Sequence, residues 1–115
     1  MQKIVFDRKK LFDNMGGMED LVESSIEIFI EYSPEYLSKI KAAIDVKSVE
    51  ELKHTAHSFK GSALNAGAPA AAATLLTMEK MGSGEETFDE AGRLFVELEK
   101  NIADYIEEVK KQGLV

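Results

Sequence analysis

The chain has 115 residues, of which 44% are hydrophobic and 30% charged. This fits a single domain over residues 1–115, with a core large enough to fold without disulfides or a structural metal ion. It contains no cysteine, which excludes disulfides, thiolate metal sites and cysteine nucleophiles. With 14 basic and 21 acidic side chains the formal net charge is −7, which disfavours nucleic acid as the main partner. Because no run of about 18 apolar residues occurs, we expect no membrane contact and a cytoplasmic location.

The first two predicted helices lie in the N-terminal 45 residues. A short helix capped by Asp7 is expected to end at Gly16-Gly17. Over 18–45 the apolar residues keep a spacing of three and four, and this phase continues across Ser33 and Pro34. The continuous phase predicts one long helix that is bowed or kinked at Pro34. The alternative is a new helix there, with Ser33 as its N-cap and Pro34 at its first position.

The remaining helices are predicted from the signals at their N-termini. Ser48 with Glu51 and Thr87 with Glu90 form capping boxes, and Pro69 suits the first position of a helix. The predicted helices cover 48–66, 69–81 and 87–111, with a loop at 82–85. Four long helices with short connections predict an all-α fold, an antiparallel four-helix bundle with a short N-terminal capping helix.

The stretch HTAHSFKGSALNAGA, residues 54–68, carries the most unusual chemistry of the chain. On the helix over 48–66, His57 lies about 130° from the centre of the apolar stripe, so it should face solvent. Lys60 and Gly61 are its neighbours one turn on, and Leu64 continues the same strip. A glycine inside a helix costs about 1 kcal/mol relative to alanine. Its placement beside an exposed imidazole indicates that space is kept for something to reach that imidazole.

A solvent-exposed neutral imidazole can act as a nucleophile, and phosphorus is a suitable electrophile for it. The phosphoramidate formed on His57 would be negatively charged, and Lys60 could stabilise it. The sequence has no Walker loop, no glycine-rich nucleotide loop and no strand-end aspartate cluster that could hold Mg²⁺. We therefore expect a phosphocarrier that is not an enzyme on its own and needs no cofactor.

The run AHSFKGSALNAGA, residues 56–68, resembles the signature of the histidine-containing phosphotransfer (HPt) domains of bacterial phosphorelays. In that signature a histidine is followed by a hydrophobic residue, Lys, Gly and a small residue, and then by Asn and Gly-Ala. The segment LFDNMGGMEDLVESSIEIFIEYSPEYLSKIKAAI is also similar to the N-terminal part of the family. The resemblance covers roughly residues 5 to 111. The alanine-rich PAAAATLL departs from it, since the family more often has larger residues there.

The resemblance implies that His57 accepts a phosphoryl group from an aspartyl phosphate on a receiver domain and passes it to another receiver domain. It also implies that these response-regulator receiver domains, and a sensor or hybrid histidine kinase, are the partners. Lys60 would stabilise the phosphate. Gly61 and Leu64 would belong to the docking surface, together with the first short helix and the start of the long one.

Two other interpretations remain open at this point. Glu50, His54 and His57 share a helical face and could begin a metal site, although a further ligand would have to come from a neighbouring helix. The bundle could also be a scaffold or adaptor in which His57 has no chemistry. The Lys60 and Gly61 arrangement opposes the adaptor interpretation, because a scaffold has no need of it. No self-complementary apolar patch stands out, so we expect a monomer.

Overall fold

The structure, a computed structural model, describes residues 4–81 and 85–115. Over these ranges the chain is all-helical and contains no β-strand, as predicted. None of the described helices is long and apolar enough to cross a membrane. The third helix packs against the second and the fourth, and the fifth also packs against the second and the fourth, while the first contacts the second. The helices are α1 (Arg8–Asn14), α2 (Glu19–Asp45), α3 (Val49–Asn65), α4 (Pro69–Glu79) and α5 (Glu85–Lys111).

The N-terminal helices follow the sequence prediction. The Asp7 carboxylate caps α1 by accepting a hydrogen bond from the backbone N–H of Lys10 at 3.1 Å. The helix α2 continues through Pro34 without a break, so the prediction of one long helix is confirmed and the alternative start at Ser33 is wrong. Ser33 is instead buried inside α2, where its hydroxyl donates to the carbonyl of Phe29 at 2.6 Å. A hydroxyl that bonds back into the preceding turn needs no helix end.

The starts of the later helices agree with the prediction in two cases out of three. The hydroxyl of Ser48 accepts from the backbone N–H of Glu51 at 3.2 Å, and Pro69 occupies the start of α4. The predicted cap at Thr87 is wrong, because α5 begins at Glu85 and Thr87 lies within it. Glutamate is a good helix former, so the helix extends N-terminal to the threonine. Of the predicted loop, residues 82–84 lie outside the described residues.

A mostly buried aromatic cluster joins α2, α3, α5 and the segment that precedes α1. The Tyr105 ring of α5 meets Phe6 and Phe29 edge to face, with centroid separations of 5.5 and 5.1 Å. Phe59 of α3 packs against Phe29 and stacks on Tyr36 at 4.6 Å. Aromatic pairs in these geometries add to the stabilisation from burial alone. Because Phe59 is anchored on α2, the rotation of α3 about its own axis is fixed.

The turn between α3 and α4 is held tightly against the N-terminal segment. Gly67 has φ +68°, and a Cβ added there would lie 3.1 Å from both the Asp7 carbonyl oxygen and the Cβ of Leu11. The Asp7 N–H donates to the Gly67 carbonyl at 2.9 Å. Both the left-handed backbone and the close approach require glycine at this position. The turn therefore fixes α1 beside the end of α3.

We expect Tyr105→Phe to lower the free energy of unfolding by about 1–3 kcal/mol. The Tyr105 hydroxyl is buried and donates to the carbonyl of Ala66, the residue that ends α3, at 2.6 Å. Burial also raises the pKa of the Tyr105 phenol, so the group remains a donor throughout the physiological range. Phenylalanine would keep both ring contacts and leave the carbonyl unpaired. Urea unfolding measures the change, with Tyr32→Phe at an exposed tyrosine as the control; equal midpoints for the two variants would contradict it.

Candidate functional site

His57 projects from the middle of α3 to the surface, as the helical spacing predicts. Its side chain is 68% exposed. The residues that place it there are those of the opposite side of the helix, where Ala56, Phe59 and Ala63 are fully buried. Since Phe59 fixes the rotation of α3, the imidazole is mounted on a rigid element and does not lie in a loop or a pocket.

Glu79, at the end of α4, is the partner of this imidazole. Its Oε1 lies 2.5 Å from Nδ1 of His57. Only 23% of the Glu79 side chain is exposed, in contrast to the exposed ring that it holds. The contact joins α3 to α4 across 22 positions of sequence.

Lys60 binds the other oxygen of the same carboxylate. Its Nζ donates to Oε2 of Glu79 at 2.6 Å, and the lysine side chain is 21% exposed. The hydrogen bond from Lys60, followed by that from His57, lowers the pKa of the Glu79 carboxyl from its ordinary value of 4.5. Glu79 is therefore ionised at neutral pH and bridges His57 and Lys60.

The contact with the Glu79 carboxylate determines which nitrogen of the neutral His57 ring carries no proton. An ionised carboxylate only accepts hydrogen bonds, so the nitrogen that faces it must carry the proton. That nitrogen is Nδ1, and the proton position follows from its partner. In this tautomer Nε2 has its lone pair available for attack on an electrophile.

The surface next to His57 is open in the way the sequence indicates. A Cβ added to Gly61 would meet no described atom within 4 Å outside its own helix backbone. Leu64 is 49% exposed, a large fraction for a leucine. Gly61 therefore leaves room above the imidazole, and Leu64 offers apolar surface one turn further.

Two shallow grooves continue this surface towards α1 and α2. In the first, Leu64 and Asn65 lie beside Lys10 and Asn14 of α1. In the second, Asn65 and Ser62 lie beside Ser25 and Ile28 of α2. Ile28 is itself 55% exposed. The strip from His57 to Leu64 is thus bordered by the short helix and by the first half of α2.

The other histidine lies elsewhere. His54 is exposed and lines a different groove, between α2 and α3, together with Lys39, Val46 and Glu51. Within residues 4–81 and 87–115, whose side chains the structure describes, no group of three or more His, Cys, Asp or Glu side chains could hold a metal ion. The geometry of the described residues therefore does not favour the metal interpretation.

Glu79 is the site residue that the sequence analysis missed. A signal for it does exist in the turn between the two helices, centred on Gly67. His57 lies ten positions before that glycine and Glu79 twelve positions after it, so two adjacent helices that reverse there place the two side chains at nearly the same level. Glutamate at the level of the histidine would have been a candidate partner.

The stability of the protein is expected to depend on the ionised state of Glu79. Its pKa is lower in the folded chain than in the unfolded one, so its contribution is fully present above pH 4.5 and is lost as the pH falls through the lower folded value. We expect Glu79→Gln to unfold at lower urea concentration than the wild type at pH 7, and the two midpoints to converge as the medium is acidified below pH 4.5. A difference that stays constant over this acidic range would show that the ion pair with Lys60 contributes nothing.

Comparison with known proteins identifies the family of the chain. The family model of the Hpt domain matches residues 24–112, which is most of the chain. The structure is similar to the crystal structure of histidine-containing phosphotransfer protein B (HptB) from Pseudomonas aeruginosa PAO1, with a TM-score of 0.78 and 27% sequence identity, over 96% of each chain. A search among curated proteins gave no match. The chain belongs to the Hpt domain family, and its function is histidine phosphotransfer in phosphorelay signalling.

Proposed function

We propose that His57 is the residue that carries the phosphoryl group and that Nε2 is the atom phosphorylated. The observation that supports this most directly is the bridge from Nδ1 of His57 through Glu79 to Lys60. It leaves Nε2 unprotonated and directed away from the carboxylate, on an imidazole that a partner can reach. A nucleophile held in one tautomer on a rigid helix is prepared for in-line attack.

In the proposed reaction the donor is an aspartyl phosphate on a receiver domain, and the acceptor is the aspartate of another receiver domain. A sensor or hybrid histidine kinase supplies the phosphoryl group upstream. The receiver domains contribute their own carboxylates and Mg²⁺, so this chain acts as a carrier and is not an enzyme by itself. It needs no cofactor of its own for this role.

Lys60 is proposed to stabilise the phosphoryl group on His57. It is one turn from the imidazole, and its ammonium is already held near the ring by Glu79. A flexible lysine can move its charge from the carboxylate to a phosphoryl oxygen without a change in the backbone. The negative charge that arrives with phosphorylation then has a cation beside it.

The proposed docking surface consists of Gly61, Leu64 and Ile28, with the adjoining residues of α1. Leu64 and Ile28 are half exposed, and an apolar centre with polar surroundings is typical of transient protein interfaces. Gly61 lets the partner approach the imidazole closely. The wider arrangement that we propose is an antiparallel bundle of α2–α5 capped by α1, acting as a monomeric single domain in the cytoplasm.

The test is phosphoryl transfer to the purified protein. The protein is incubated with Mg²⁺ and a receiver domain that has been charged with a small-molecule phosphodonor. Mass spectrometry under non-acidic conditions then locates the phosphoryl group. An acid-labile label on His57 is expected. If several charged receivers and an active hybrid kinase all fail to label it, the adaptor interpretation takes its place.

A further inference from the structure

The hydrogen bond between His57 and Glu79 has a consequence for the proton on the imidazole as well as for its tautomer. On the basis of the proposed function, we propose that Glu79 keeps the Nδ1 proton on His57 during both acceptance and donation of the phosphoryl group. Glu79 is then a positioning residue that holds this proton on Nδ1 through both transfers.

When His57 accepts the phosphoryl group, a negative charge beside Nδ1 stabilises the imidazole. The lone pair of Nε2 attacks phosphorus, the new N–P bond forms, and the P–O bond to the donor aspartate breaks, with the electron pair leaving on the carboxylate. The imidazole, which still carries its proton on Nδ1, becomes formally cationic. The ionised oxygen of Glu79, 2.5 Å from Nδ1, stabilises that cation.

The donation step requires the same proton. The N–P bond breaks, and its electron pair returns to Nε2 as the acceptor carboxylate binds phosphorus. With the proton on Nδ1 the leaving group is a neutral imidazole. Without it the leaving group would be an imidazolate anion, which is a much stronger base and leaves more slowly. A carboxylate that holds the proton therefore keeps phosphorylated His57 in its more reactive form.

The surroundings of the carboxylate keep it available for this role. The charged groups that act on Glu79 are Lys60 first and His57 second, both from α3. The helix α5 also packs on α4, but none of its described side chains is among the groups that shift the pKa of Glu79. Because each oxygen of Glu79 has a different partner, Lys60 can turn towards the phosphoryl group while Oε1 remains on Nδ1.

The test is the pH profile of phosphoryl loss. Wild type, Glu79→Gln and a control, Glu107→Gln, are phosphorylated with phosphoramidate, and hydrolysis of the phosphohistidine is followed by phosphorus NMR between pH 5 and 9. Glutamine can still accept from Nδ1–H but carries no charge, so it tests the charge alone. Glu107 serves as the control because it is an exposed glutamate near the C-terminal end of α5, outside the site formed by α3 and α4.

In each protein the rate is expected to fall with rising pH as the Nδ1 proton is lost. We expect the midpoint of this fall to lie about one pH unit lower in Glu79→Gln than in the wild type, and hydrolysis to be about tenfold slower in the variant at pH values above both midpoints. Glu107→Gln should follow the wild type. Superimposable profiles for all three proteins would overturn the role of Glu79 while leaving His57 as the carrier. Absence of phosphohistidine at His57 in all three would instead overturn the proposed function.

Discussion

His57→Gln is expected to lose phosphoryl acceptance completely and to remain folded. Glutamine has no nucleophilic nitrogen, because the lone pair of an amide nitrogen is delocalised into its carbonyl. Its NH₂ group can still donate to Glu79, so the carboxylate keeps a partner where Nδ1 was. The side chain at this position is mostly exposed, so the free energy of unfolding should change by no more than about 0.5 kcal/mol.

The measurement is labelling by a charged receiver domain, read by mass spectrometry, together with urea unfolding. The control is His54→Gln, the same change on the same helix one turn earlier, at an exposed histidine that lines a separate groove. His54→Gln should be labelled like the wild type. Label that persists in His57→Gln would assign the carrier to another residue, and a large loss of stability would show that His57 has a structural role.

The helices were predictable because their signals are local. The apolar spacing of α2 keeps its phase across Pro34, and the observed helix is continuous there. The Ser48 cap and the Pro69 start are likewise read from a few adjacent residues. Thr87 has the same local signal and is not the cap. A capping box competes with the helix propensity of the residues before it, and the sequence pattern alone does not give the balance between them.

The site was predictable only on one helix. The exposure of His57 and the open space at Gly61 follow from the angle between each residue and the buried stripe of α3. The interaction of Lys60 cannot be predicted from this angle, because a lysine on a helix surface can reach several partners. Its observed partner, Glu79, comes from α4 and is positioned by the Gly67 turn. A contact between two helices depends on how they pack, and the periodicity of one helix does not contain that information.

Gly61→Gln is expected to leave the protein folded and to slow phosphoryl transfer from a receiver domain by about tenfold to a hundredfold. No described side chain lies within 4 Å of the added Cβ, and replacing a helical glycine should increase the free energy of unfolding by up to about 1 kcal/mol. The new side chain would project into the space beside His57 that the partner must enter. A small displacement of the donor phosphorus from Nε2 is enough to slow the reaction.

The chain offers a matched control for this change in Gly92. This glycine also lies within a helix, and a Cβ added there would meet no described atom within 4 Å, but it belongs to α5 and lies outside the surface formed by α1, α2 and α3. Gly92→Gln should therefore be stabilised to a similar degree and transfer at the wild-type rate. Phosphoramidate is small enough to reach His57 past the glutamine, so it should label Gly61→Gln nearly as fast as the wild type. Slow labelling by both donors would mean that the substitution disturbs the imidazole, and an unchanged rate from the receiver domain would show that the partner does not approach over Gly61.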